Sequence, residues 1–97
     1  MAPLCVVALD YVAPLAELDA AMDDHVAWLE AGYAEGVILA SGRKVPRTGG
    51  IILFRGAADA VEPLVATDPF VARGLATAAV TPFVASMAAP ALADLLA

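Results

Sequence analysis

Three short runs, Leu4 to Asp10, Val37 to Ala40 and Ile51 to Phe54, are almost entirely apolar. Short apolar runs bounded by turn residues are the pattern of strands buried on both faces. A strand with one solvated face alternates polar and apolar residues, and these do not. The chain must therefore cover a sheet on two sides, and 97 residues give it little material for the task. A domain of this size builds one core and buries roughly 60–65% of its unfolded surface. Disorder is excluded, because 62% of the residues are apolar and only 16% are charged.

The rest of the chain supplies the covering helices. Pro14 suits a first helical turn. After it Leu15, Leu18, Met22, Val26, Leu29 and Tyr33 recur at spacings of three and four, which predicts one helix of about five turns. His25 falls at the edge of that stripe, and Gly36 is the stop signal. Ser41-Gly42 closes the second strand. Arg43 to Gly50 has turn residues and no period, so it reads as a loop joining a hairpin. Ala58 to Thr67 predicts a second helix, although Pro63 inside it costs ~3 kcal/mol. A start near Asp59–Glu62 would move Pro63 into the first turn. Asp68-Pro69 looks like an N-cap followed by a first-position proline, opening a short turn through Phe70 and Val71 that ends at Gly74. Thr77 to Val84 is a fourth strand, and Pro82 argues for an edge or a bulge. Pro90 to Leu96 is a short helix or tail.

The predicted order is βαββαβ, an α+β sandwich in one domain over residues 1–97, with its core in 4–85 and a tail in 86–97. Two helices cover one face of the sheet. A second copy of the same sheet is the simplest cover for the other, which predicts a homodimer packed face to face.

Charge narrows the partners. Five basic against eleven acidic residues leave a net charge of -6, which repels phosphate backbones and speaks against nucleic acid. The first 42 residues carry seven acids and no Lys or Arg, whereas Arg43, Lys44 and Arg47 crowd into five positions. That cluster is either a solvated loop or a grip for an anion. The uncharged stretch Gly74 to Ala93 is long enough to span a membrane, but Pro82, Pro90, Thr77, Thr81 and Ser86 argue against it. No basic leader segment precedes the first strand, so a cytoplasmic protein is expected. Cys5 sits in an apolar run and reads as a core residue. One His and one Cys far apart make no zinc set, and Gly49-Gly50 lacks the remainder of a phosphate loop, so no metal or cofactor is expected.

The chemistry-bearing residues are few. His25 is the one side chain that titrates near neutral pH by default, and it is either a structural or surface histidine or an acid–base group. Asp68 is either an N-cap or the group that orients His25, and its two oxygens allow both. Ser41 could complete a Ser-His-Asp set, but no nucleophile elbow surrounds it. Trp28 and Tyr33 read as packing residues.

Taken together, His25-Val26-Ala27-Trp28-Leu29, then Gly36 to Gly42, then Asp68-Pro69-Phe70 with Gly74, then Pro82-Phe83, resemble the YciI-like (YCII-related) family. The resemblance spans about residues 4–85. Ser41 to Gly50, Ser-Gly-Arg-Lys-Val-Pro-Arg-Thr-Gly-Gly, is similar to a subgroup of it. The resemblance implies a ferredoxin-like fold that dimerises as an α/β barrel. It also implies a His–Asp pair in a pocket, here His25 and Asp68, suspected of acid–base catalysis. One branch of the family is similar to a dehydrochlorinase of chlorinated hydroxyhydroquinones, and muconolactone isomerases share the broader fold. The chain departs from the family at Met22, where many members carry Arg, and at Gly42-Arg43, where many carry Gly-Pro.

Two functions follow as expectations. The first is a small enzyme for proton transfer or elimination on a small anionic or phenolic metabolite, with His25 as acid or base, Asp68 orienting it, and Ser41, Arg43, Lys44 and Arg47 holding the substrate. The second is a non-catalytic dimeric module that binds a small molecule or a partner.

Overall fold

The computed structural model describes residues 2–97. Four strands form one antiparallel sheet: β1 (Ala2–Tyr11), β2 (Ile38–Arg43), β3 (Gly49–Arg55) and β4 (Ala76–Ala85), in the order β2-β3-β1-β4. The helices are α1 (Leu15–Ala20), α2 (Met22–Ala34), α3 (Ala58–Val65), the single turn α4 (Pro69–Ala72) and the C-terminal α5 (Pro90–Leu96). Element order and sheet order together are the ferredoxin-like α+β arrangement.

The register shows why the strands read as apolar throughout. On one face, Cys5, Val7 and Leu9 of β1 pair with Phe54, Ile52 and Gly50 of β3. There they meet Leu18, Ala21, Val61, Val65 and Phe70 from the helices, and this layer is the core. On the other face stand Val6, Ala8, Ile51, Leu53 and Phe83, placed by pairing. Ile51 is 39% and Phe83 43% exposed on that second face. Near its end, Arg55 donates to the Leu95 carbonyl at 3.1 Å and ties α5 to the sheet.

Local chemistry sets the boundaries. Gly36 takes φ 76° and ends α2 with a Schellman pattern, Val37 N–H to Gly32 O and Gly36 N–H to Tyr33 O, both 3.0 Å. Gly49 is required by close approach, since a Cβ there would lie 1.8 Å from the Leu9 carbonyl oxygen. Pro82 sits in β4, an edge strand, as its missing N–H demands.

Three expectations change. The long first helix is broken at Ala21, whose φ and ψ of -95° and 0° tighten the turn, its N–H shared between the carbonyls of Glu17 and Leu18. Pro63 lies well inside α3 and not in its first turn. The bond it forgoes is to Asp59, an exposed residue whose carbonyl water can serve. Arg43 and Gly49-Gly50 belong to strands, so the hairpin loop shrinks to residues 44–48.

Candidate functional site

His25 is not at the edge of the buried helix face but at its centre. By the period of about 3.6 residues, Leu18, Ala21, His25, Leu29 and Gly32 fall on one line, and the sheet lies beneath them. Leu15, Val26 and Tyr33, counted in the sequence stripe, lie to one side and are 46%, 39% and 41% exposed. His25 is only 9% exposed.

A buried imidazole needs a partner, and Asp68 is it. Asp68 ends the turn after α3 and caps α4, accepting the Phe70 N–H on Oδ1 at 3.0 Å. The same Oδ1 lies 2.7 Å from His25 Nδ1. Asp68 is fully buried, and its Oδ2 has no protein partner. The cap and the orienting contact thus coexist in one carboxylate. Phe70 adds a second constraint, stacking on the imidazole with centroids 3.9 Å apart and planes within 8°. A neighbouring tie fixes the helices around the pair. Trp28 Nε1–H donates to Thr67 Oγ1 at 2.9 Å, and Thr67 in turn donates to the Leu64 carbonyl at 2.6 Å.

In the neutral ring a carboxylate at Nδ1 favours the tautomer with the proton there, which leaves Nε2 its lone pair. Among the described residues Nε2 has no hydrogen-bond partner. His25 lines a cavity of about 260 Å³ between α2 and the β2–β3 end of the sheet. Met22, Val26, Leu29, Leu9 and Ile52 give it apolar walls, and Tyr11, Ser41 and Arg43 bring polar groups to it. That volume lies just under the usual range of ~300–1,000 Å³ for small-molecule sites, so it suits a single ring.

Ser41 and Arg43 reach this wall because of an irregularity in β2. Ile38 pairs with Phe54, but the next pair is Ala40 with Leu53, so Leu39 is an extra residue. Beyond the bulge Ser41 pairs with Ile52 and Arg43 with Gly50, both on the helix side of the sheet. A regular strand would have put Ala40 and Gly42 there instead.

The basic cluster does not act as one unit. Lys44 pairs with Asp10, and Arg47 with Asp19 at 2.7 Å. Arg47 also lies over the Tyr11 ring, 5.8 Å from its centroid. Its guanidinium is held above its ordinary pKa, first by the hydrogen bond to Asp19 and next by Tyr11. Lys44 and Arg47 therefore brace the hairpin loop against its neighbours and stand off the cavity lining, while Arg43 lines the cavity with no ion pair among the described residues. Tyr33, expected as a packing residue, also brings its hydroxyl to 2.6 Å from Ser41 Oγ. A tyrosine at the end of an apolar stripe carries no signal of that contact, which crosses the helix-to-strand turn.

Among the described residues no group of three or more His, Cys, Asp or Glu is assembled that could hold a metal ion, and no helix is long and apolar enough to cross a membrane.

Comparison with solved structures finds 5-chloro-2-hydroxyhydroquinone dehydrochlorinase from Burkholderia phenoliruptrix AC1100, in complex with 2,5-dihydroxybenzoquinone. The two chains are 21% identical, and the match covers 89% of this chain and 95% of that one with a TM-score of 0.68. At that identity the likeness speaks to fold. No protein of curated function matches the sequence. The profile of the YCII-related domain matches residues 4–84, all but the outermost residues of the sheet together with the helices around the dyad. The chain belongs to the YCII-related family.

Proposed function

We propose that the protein is a small acid–base enzyme that moves a proton, or drives an elimination, on a small anionic or phenolic metabolite. The observation that carries this reading is His25 itself: buried, held at Nδ1 by a buried carboxylate, stacked on Phe70, and lining a cavity the size of one ring. Nε2 takes a proton from the substrate, and Asp68 stabilises the imidazolium that forms while keeping the tautomer. In an elimination the same proton leaves the substrate as the leaving group departs with its bonding electrons. Apolar side chains of α2 and the sheet pack the ring, and Ser41 and Arg43, exposed at the rim, hold an anionic oxygen. Lys44 and Arg47 act on the loop rather than the ligand.

The likeness to a dehydrochlorinase supports a chlorinated hydroxyhydroquinone as the first substrate to try. Chloride release from it is the assay. The wild type is expected to release chloride, and His25→Ala to lose about 10²–10⁴-fold of that rate. Equal turnover by the two would overturn the reading.

A non-catalytic binding module is the second reading, favoured by the cavity alone, which a carrier would share. Ligand binding that survives His25→Ala, with no turnover by either protein, identifies that case. The second, half-exposed face of the sheet supports a homodimer, in which Ile51 and Phe83 would be covered by a second copy. The lone buried thiol of Cys5, which donates to the Gly56 carbonyl, fits a reducing cytoplasmic compartment.

A further inference from the structure

Tyr33, whose hydroxyl meets that of Ser41, is unused in the scheme so far. Each hydroxyl has one hydrogen to give, and neither has another partner among the described residues. A phenol is the stronger acid of the two and the better donor. Either hydroxyl can donate across this contact; when Tyr33 O–H donates to Ser41 Oγ, the arrangement its acidity favours, the Ser41 hydrogen is left to point elsewhere. Ser41 lines the cavity, so that hydrogen is available to a ligand there. Arg43 is two residues further along the same strand face and lines the same cavity. Lys44, Arg47 and Arg73 each have a carboxylate, and Arg55 has the Leu95 carbonyl, but Arg43 has neither among the described residues. One oriented hydroxyl and one uncommitted guanidinium side by side are what an oxyanion requires. The apolar walls and the single-ring volume require the rest of the ligand to be a flat, uncharged body.

We infer that Tyr33, Ser41 and Arg43 form an oxyanion arm on the cavity wall built by β2, and that its ligand is a hydroxylated aromatic ring bound as the phenolate. Tyr33 is a positioning residue that acts only through Ser41. This rests on the same cavity as the acid–base reading and names the class of molecule it selects.

The probe is para-nitrophenol, whose phenolate is yellow and whose phenol is not, titrated by absorbance with the full chain in excess. Bound probe is expected to stay yellow at a pH where the free probe is largely colourless. Tyr33→Phe is expected to weaken phenolate binding by about three- to tenfold, and Ser41→Ala by at least as much. The double variant is expected to be no weaker than Ser41→Ala alone, because the tyrosine has no other route to the ligand. Nitrobenzene, the same ring without the oxygen, is expected to bind all of them equally, which a general loosening of the site would not allow. Wild-type affinity in Tyr33→Phe, additive losses in the double variant, or no capture of phenolate by the wild type would each overturn the arm. His25→Ala separates the two readings. If the arm holds the oxygen, that variant still captures phenolate, whatever it does to turnover. If phenolate capture vanishes in His25→Ala and persists in Tyr33→Phe, the anion sits at the histidine and the arm is refuted while the dyad stands.

Discussion

Replacing Asp68 by Asn should separate the two duties of that carboxylate. Oδ1 accepts from both the Phe70 N–H and His25, at 3.0 and 2.7 Å. The cap needs an acceptor at that point, so the amide oxygen of Asn has to occupy it and the amide nitrogen falls where Oδ2 has no partner. His25 then keeps its proton on Nδ1, and only the negative charge is lost. Two opposite charges ~4 Å apart in an effective dielectric of ~20 attract by about 4 kcal/mol. The developing imidazolium loses up to that much, so turnover should fall by about 10²–10³-fold. Stability should hardly move, within about 1 kcal/mol, since the buried charge with one unmatched oxygen was itself costly. Asp68→Ala behaves differently. It removes the cap, ~1 kcal/mol, and strands the His25 N–H, ~1–3 kcal/mol. A domain of this size then melts roughly 10–25 °C lower. The assays are chloride release, thermal unfolding by circular dichroism, and the ¹⁵N shifts of the one histidine, which report its tautomer without assignment. A proton found on Nε2 in the Asn variant, or undiminished turnover, would refute the reasoning.

Other outcomes are as definite. Gly32→Ala puts a Cβ 2.3 Å from Ile38 Cδ1, so it should destabilise by about 1–3 kcal/mol in denaturant unfolding and loosen the seat of α2 on β2. Burial, and then the charge of Glu62, push the Cys5 thiol up. Its proton is therefore retained in the folded state after the unfolded chain has lost it. The stability this contributes is full below the ordinary thiol pKa and declines as pH rises above it, a decline that should vanish in Cys5→Ala; thiol reagents should label Cys5 only on unfolding. Sedimentation should give twice the 9.8 kDa of one chain, and Ile51→Lys should return it to the monomer.

Much of the fold was legible because its signals are local. Pro82 announced an edge strand or a bulge, Gly36 a helix end, and Asp68-Pro69 a cap with its proline; the edge, the end and the cap are all found. The second apolar face of the sheet followed from unbroken runs alone. The displacement of His25 has its source in periodicity, which cannot tell an apolar residue packed in the core from one beside it. Leu15, Val26 and Tyr33 are apolar, yet they flank the packed face, and including them displaced His25 to the rim. The division of the basic cluster was hidden for a different reason. Asp10 and Asp19, which engage Lys44 and Arg47, come from β1 and α1, and nothing near residue 44 hints at them. The bulge at Leu39 left no mark either, because one extra apolar residue in an apolar run looks like the rest of it.

That bulge makes the site's chemistry a matter of phase. The face each β2 residue presents beyond position 39 depends on whether Leu39 is counted. Were Leu39 drawn into the ladder instead of bulging from it, the strand beyond would slip by one step and send Ser41 and Arg43 to the far side, with Ala40 and Gly42 taking their place. No polar residue would have been mutated, yet the wall would have turned from polar to bare. On this scaffold a change of ligand could therefore come by losing or gaining a bulge at constant length, a step that residue-by-residue comparison would not register.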